Sequence, residues 1–100
     1  FVEFQSIPTS GARDWESFVI DGTSYLAVAN QYDGSSQSQN SKIFWWNGGS
    51  FMELQRIPTD GAVEWKTFVI DGASYLAVAN EGSYSTNSSV FRWNGASFVE

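Results

Sequence analysis

Cysteine and histidine are absent from the sequence, and proline occurs only twice. Without cysteine no disulfide can hold the fold, and the redox compartment cannot be inferred from thiol usage. Without either residue, Ser–His and Cys–His nucleophilic triads and metal sites built on thiolate or imidazole ligands are excluded. The chemistry that remains belongs to carboxylates, hydroxyls and amides.

Charge is scarce as well. Charged residues make up 16% of the chain, against roughly 25% in average proteins. The five lysines and arginines do not cluster and the formal net charge is −6, so nucleic-acid binding is not expected. No apolar run is long enough for a membrane-spanning helix. No signal peptide is visible at Phe1, so a mature piece or an engineered one is expected.

An internal repeat is the strongest signal in the sequence. Phe1–Asn30 aligns without a gap to Phe51–Asn80, with 21 of the 30 positions identical. The polar stretch Gln31–Asn40 and its shorter counterpart Glu81–Asn87 read as surface loops, after which the match resumes. A period near 50 residues is typical of propellers and other repeat folds. We expect a first repeat at residues 1–50, a second at 51–97 and the start of a third at 98–100.

Each repeat is expected to form four strands, because short apolar runs alternate with glycine-containing turns. Asp21-Gly22 and Asp71-Gly72 predict two-residue hairpins, and Pro58 is expected to end the strand before it. In blade order the predicted strands are Trp15–Ile20 and Trp65–Ile70, Ser24–Asn30 and Ser74–Asn80, Lys42–Trp46 and Ser89–Trp93, then Phe51–Ile57 and its equivalent Phe1–Ile7.

The second strand of the repeat shows why it needs neighbours. Tyr25, Ala27 and Ala29 point to one side and Leu26 and Val28 to the other, so both faces are apolar. Stacking sheets face to face in a ring buries both. The predicted fold class is therefore all-β, with β-propeller blades of four antiparallel strands and a ring closed by homo-oligomerisation. A trimer of two-blade chains gives six blades and a tetramer eight.

The ends of the repeat predict how such a ring closes. We expect the first strand of one copy to complete the last blade of a neighbour by β-augmentation. The stub Phe98–Glu100 overlaps that strand and should fray or share its pairing. The residues of the predicted inter-subunit strand are Phe1, Val2, Glu3, Phe4, Gln5, Ser6 and Ile7.

The combined string resembles a known repeat family. D-W-x-x-F-x-I-x-G-x-x-Y-L-A-V-A-N, then S-x-I-F-x-W-N-G and F-x-x-x-Q-x-I-P-T-x-G-A, is similar to the epitempin repeat, also called the EAR or EPTP repeat. The resemblance implies a four-stranded propeller blade, in seven-bladed rings of secreted proteins that recognise other proteins such as cell-surface receptors. Glu64 departs from the pattern that Asp14 matches. Two blades do not tile seven, which indicates a fragment or an engineered or reconstructed repeat.

Two carboxylates are the candidate metal ligands. Asp14 and Glu64 open the strand that lies nearest the axis in propellers, so a ring would hold them in an acidic circle. Such a circle could bind Ca²⁺ in the central channel. The alternative is that these acids are solvated or accept hydrogen bonds from nearby backbone. No other cofactor is expected.

The remaining candidates are aromatic and amide side chains. Trp45 is expected to be exposed, because Arg92 takes its place in the second repeat, and the pair is a candidate surface contact. Asn30 and Asn80 are expected to cap the loops that follow them. Glycoside hydrolysis needs two carboxylates in different environments, whereas symmetric repeats give every blade the same environment, so no enzyme is expected. The leading hypothesis is a self-assembling protein-recognition scaffold. The alternative is a lectin that uses the two polar loops.

Overall fold

The computed structural model describes residues 2–9, 11–31, 34, 38–82 and 87–100. In this part the chain is all-β, with two four-stranded antiparallel sheets that each follow chain order. Sheet 1 contains β1 (Ala12–Ile20), β2 (Thr23–Asn30), β3 (Ser38–Trp46) and β4 (Phe51–Asp60). Sheet 2 contains β5 (Ala62–Ile70), β6 (Ala73–Asn80), β7 (Ser89–Trp93) and β8 (Phe98–Val99).

The Asp-Gly hairpins form as predicted. Asp21 and Gly22 have φ of 48° and 81°, and Asp71 and Gly72 have φ of 50° and 79°. Positive φ at both central residues defines the type I′ turn, whose twist matches that of the strands it joins. The repeat therefore fixes the register of β1 on β2 and of β5 on β6 through the same local chemistry.

Two predicted strand ends are wrong. β3 begins at Ser38, inside the stretch expected to be loop, and β4 continues through Pro58 to Asp60. Pro58 lies opposite Asn40 in the ladder. It is tolerated because β4 is the edge strand of sheet 1, where a missing N–H need not break a pair. Gly61, with φ of 64°, then joins β4 directly to β5.

The two ends of the repeat behave differently in the single chain. The predicted strand Phe1–Ile7 does not form in the single chain: residues 2–9 form no strand, while Phe1 lies outside the described residues. At the other end, Phe98 and Val99 pair with β7 as β8, and Phe98 is buried. The stub is expected to fray or share its pairing where the first strand of a neighbour overlaps it, and this stays a prediction. Sheet 2 has an outer strand of two residues where sheet 1 has one of ten.

The core lies between the sheets. Side chains in β2 alternate as expected: Tyr25, Ala27 and Ala29 belong to the buried cluster that packs on sheet 2, and Leu26 points to the far side. We call the side with Tyr25, Ala27 and Ala29, and its equivalent in sheet 2, the alanine face. The opposite side, with Trp15 and Leu26 in sheet 1 and Trp65 and Leu76 in sheet 2, is the tryptophan face.

Candidate interaction surfaces

One joint holds the two sheets together. The alanine face of sheet 1 packs on the tryptophan face of sheet 2, where Trp65 and Leu76 are fully buried against Tyr25 and Ala27. Unlike faces meet, so the joint is heterologous rather than self-complementary. Each sheet therefore keeps its other apolar face, and these two free faces are again one of each kind.

The free faces carry the same residues in an exposed state. Trp65 is 0% exposed in the joint, whereas its equivalent Trp15 on the tryptophan face of sheet 1 is 43% exposed. Ile20 is 8% exposed in the joint, whereas Ile70 on the alanine face of sheet 2 is 51% exposed. Phe68 is also exposed on this second face. The chain thus has one exposed tryptophan face and one exposed alanine face, the two kinds of surface that form the joint, at opposite ends of the molecule.

A glutamine clamp holds the outer strand of each sheet to the segment beside it, on the side of the joint that we call the outer rim. The Gln55 side chain donates to the Phe98 carbonyl and accepts from its N–H, at 2.8 and 2.9 Å. Gln5 makes the same pair of bonds to Phe51, both at 3.0 Å. Residues 2–9 therefore occupy the same position beside sheet 1 that β4 occupies beside sheet 2. We call them the amino-terminal segment. Phe4 supports this placement by lying 5.9 Å from Trp46, ring centre to ring centre.

An apolar groove lies beside the amino-terminal segment. Its volume is about 500 Å³, with Phe4 and Gln5 on one side and Trp15, Leu26 and Phe51 on the other. In the joint inside the chain, the space between β4 and the tryptophan face of sheet 2 is filled by the alanine face of sheet 1. The groove is the equivalent space on sheet 1, left unfilled by this chain.

Carboxylates cover the free edge of sheet 2 that β5 forms, which we call its inner edge. Strand β5 is an edge strand, and the N–H groups of Trp65 and Thr67 point away from β6. Asp14 accepts from Trp65 at 3.1 Å and Glu16 from Thr67 at 3.2 Å. Asp14 thus behaves as the predicted alternative to a metal ligand. Glu16 was missed by sequence reasoning, although its position two residues after Asp14 places it on the same side of β1.

The second candidate metal ligand lies on the free alanine face of sheet 2. Glu64 pairs with Lys66 at 3.3 Å, and both side chains are mostly exposed. The Glu64 carboxylate, with smaller contributions from Glu16 and Asp14, raises the pKa of Lys66 above its ordinary value. The described residues contain no group of three or more His, Cys, Asp or Glu residues that could hold a metal ion. Calcium binding by Asp14 and Glu64 would need several copies and stays a prediction.

A buried polar network connects the last residue of β2 to β3 and to the end of β4. The Asn30 N–H donates to Ser41 Oγ at 3.1 Å, and this hydroxyl lies 2.8 Å from Thr59 Oγ1. The Asn30 side chain donates to the Asn40 carbonyl at 2.8 Å. Asn80 does the same to the Asn87 carbonyl at 2.9 Å. The predicted capping role of both asparagines is confirmed.

Ser41→Ala is expected to lower the free energy of unfolding by about 1–3 kcal/mol, because it removes a buried hydroxyl that accepts from the Asn30 N–H and contacts Thr59. Urea unfolding followed by circular dichroism measures this loss. Ser88 is the matched control: it accepts from Asn80 at 3.2 Å but is exposed. In the single chain Ser88→Ala should therefore cost less than about 0.5 kcal/mol. Equal losses would show that burial of the network is not what matters.

The predicted surface contact is exposed as expected. Trp45 is 36% exposed and Arg92 lies at the equivalent exposed position. The tryptophans that follow them in β3 and β7 contact the next aromatic ring of the same sheet, Trp46 on Phe51 and Trp93 on Phe98. Whether Trp45 and Arg92 contact a partner stays a prediction. The polar loops assigned to the lectin alternative lie largely outside the described residues.

This architecture is consistent with the blades of a β-propeller: two antiparallel meanders, stacked face to face, with their first strands bridged at the inner edge. The model of the EPTP domain matches residues 1–47 and again residues 50–94. Since these matches cover almost the whole chain, the protein belongs to the EPTP-domain family. The resemblance seen in the sequence is confirmed.

Two curated proteins are similar to one repeat of the chain. The human thrombospondin-type laminin G domain and EAR repeat-containing protein is 49% identical over 47 residues, which is 47% of this chain. The mouse protein of the same name is 50% identical over 48 residues, or 48% of this chain. The match spans only 7% of the length of either relative. Among the described residues, no helix is long and apolar enough to cross a bilayer.

Proposed function

We propose that this chain is a non-catalytic, two-blade unit that binds further copies of itself to close a β-propeller, and that the closed ring recognises protein partners outside the cell. The single observation that carries the proposal is the pair of free faces. Trp15 and Ile70 are exposed at the two ends of the molecule, whereas their equivalents Trp65 and Ile20 are buried in the joint.

The kind of joint favours a ring over a simple dimer. A heterologous contact repeated from copy to copy gives a closed ring if its rotation closes, and an open filament if it does not. Propellers close with four to eight blades. Two sheets per chain then give six blades in a trimer or eight in a tetramer.

The incomplete edge of sheet 2 supports strand exchange between copies. In sheet 1 the strand β3 pairs with β4 from Trp46 to Ser38. In sheet 2 the corresponding pairing ends after Arg92 and Trp93. The amino-terminal segment of a second copy has the sequence to continue it, since its Thr9 is the repeat equivalent of Thr59.

Burial at the end of that strand points the same way. Thr59 lies beside Ser41 in the buried network of sheet 1. Ser88, the equivalent of Ser41 in sheet 2, is exposed, and Thr9 is exposed at the far end of the chain. Strand exchange would bring a Thr9 against Ser88 and bury both, which repeats the Ser41–Thr59 contact.

Family membership supports the recognition role. Members of the EPTP family are expected to act through protein–protein contacts in secreted proteins, and the two relatives carry EAR repeats beside a laminin G domain by name. Asp14 and Asn30 have structural partners in the chain, at Trp65 and Asn40. These two polar side chains thus hold the fold together through hydrogen bonds to backbone groups. Such a role fits a binding module rather than an enzyme.

Light scattering on a sizing column, together with native mass spectrometry, tests this proposal. We expect a mass three or four times the 11.1 kDa of one chain, with dissociation on dilution. The matched control is Ala96→Lys, which adds a charge in the exposed turn between β7 and β8 and should leave the mass unchanged. A folded chain that stays monomeric at millimolar concentration would contradict the proposal.

A further inference from the structure

We call the side of the joint where β1 lies beside β5 the inner rim. There, carboxylates of sheet 1 accept hydrogen bonds from the backbone of sheet 2. Asp14 and Glu16 lie on the alanine face of sheet 1, and their carboxylates receive the free edge N–H groups of Trp65 and Thr67. The Thr67 hydroxyl lies 3.4 Å from the same Glu16 oxygen. Because edge N–H groups otherwise face water or the edge of another sheet, these two carboxylates set how the blades meet at the inner rim.

The repeat changes one of these two acceptors. On the free alanine face of sheet 2, Glu64 is the equivalent of Asp14, and it keeps a carboxylate. Lys66 is the equivalent of Glu16. A lysine ammonium donates hydrogen bonds and cannot accept one. On the receiving side, Ser17 on the free edge of β1 is the equivalent of Thr67.

We infer that the joint between copies is short of one hydrogen-bond acceptor at its inner rim, because Lys66 faces the Ser17 N–H of the next copy where Glu16 serves Thr67 inside the chain. This inference rests on the proposed self-association. The joint between copies is consequently weaker than the joint within a copy, and the ring opens between chains. Position 66 sets the strength of assembly.

The outer rim of the same joint shows no such deficit. Gln5 already clamps Phe51 within one chain, as Gln55 clamps Phe98. When a second copy docks in the groove beside Gln5, the hydrogen bonds between Gln5 and Phe51 are already formed within the first copy. The difference between the two joints is thereby concentrated at the inner rim, where Lys66 is exposed and free to be replaced without disturbing a core.

Two replacements of Lys66 separate acceptor chemistry from charge. Lys66→Gln and Lys66→Met both remove the positive charge and the ion pair to Glu64, but only glutamine offers an oxygen to the Ser17 N–H. The dissociation constant between copies is measured by sedimentation equilibrium. Lys66→Gln is expected to assemble about tenfold more tightly than Lys66→Met, because one partly buried N–H gains its acceptor.

The equivalent pair inside the chain calibrates this result. Glu16→Gln and Glu16→Met should differ in unfolding midpoint at fixed concentration, with the glutamine variant the more stable, since Thr67 keeps an acceptor. If the wild type assembles but Lys66→Gln is no tighter than Lys66→Met, self-association stands and the inference about position 66 is wrong. If the wild type and both variants are all monomeric, both proposals are wrong.

Discussion

Trp65→Ala is expected to remove a large share of the free energy of unfolding of the chain. Trp65 is the largest fully buried side chain and lies at the centre of the joint, beside Phe91 and Leu76. Truncation of a buried tryptophan costs about 3–5 kcal/mol, and a domain of this size has about 5–15 kcal/mol in total. Urea unfolding followed by circular dichroism measures the loss.

The conservative replacement should behave differently. Within the described part of the chain, the Trp65 indole N–H is buried and has no hydrogen-bond partner. Trp65→Phe therefore gives up packing volume but loses no hydrogen bond, and it removes a desolvated polar group. We expect it to cost clearly less than Trp65→Ala. Equal losses would mean that the indole N–H has a partner which matters.

Trp15→Ala is the matched control for position. The same side chain at the equivalent position is exposed on the free tryptophan face and contacts Phe44 at 6.4 Å between ring centres. In dilute solution its truncation should cost less than about 1.5 kcal/mol. The dissociation constant between copies should rise at least about a hundredfold, because a buried aromatic anchor contributes about 3 kcal/mol or more to a joint. A concentration-independent loss equal to that of Trp65→Ala would contradict the equivalence of the two faces.

The repeat made most of the fold predictable. Alternation in β2 correctly assigned Tyr25 and Leu26 to opposite faces, and the Asp-Gly turns gave the hairpins at Asp21 and Asp71. These features are local: each depends on side-chain period or on φ at one or two residues. Comparing two copies also located the length difference in the polar stretch after β2 and β6, although β3 begins inside that stretch at Ser38.

Errors arose where pairing, rather than local preference, decides the outcome. Pro58 looks like a strand end until β4 is known to be the edge of its sheet. Glu16 looks like a surface acid until the edge of β5 is known to lie beside it. The Gln5 and Gln55 clamps join residues more than forty positions apart, so no pattern within one repeat indicates them.

The same comparison of copies identifies the most damaging change to assembly. Ala27 is fully buried where sheet 1 meets sheet 2, and Ala77 is its equivalent on the free alanine face of sheet 2. If copies join as the blades do, Ala77 must come against Leu26 and Trp15 of the next copy. A small side chain is required there, because the backbones approach closely.

Ala77→Lys is therefore expected to abolish the ring while the single chain stays folded. A lysine at this position would place a long charged side chain in the packed part of the joint, which costs several kcal/mol and raises the dissociation constant at least about a hundredfold. Native mass spectrometry should show the 11.1 kDa chain alone, with an unchanged far-ultraviolet circular dichroism spectrum. Ala27→Lys, at the equivalent position inside the joint, should instead unfold the chain. An Ala77→Lys protein that keeps the wild-type mass would show that copies meet through some other surface.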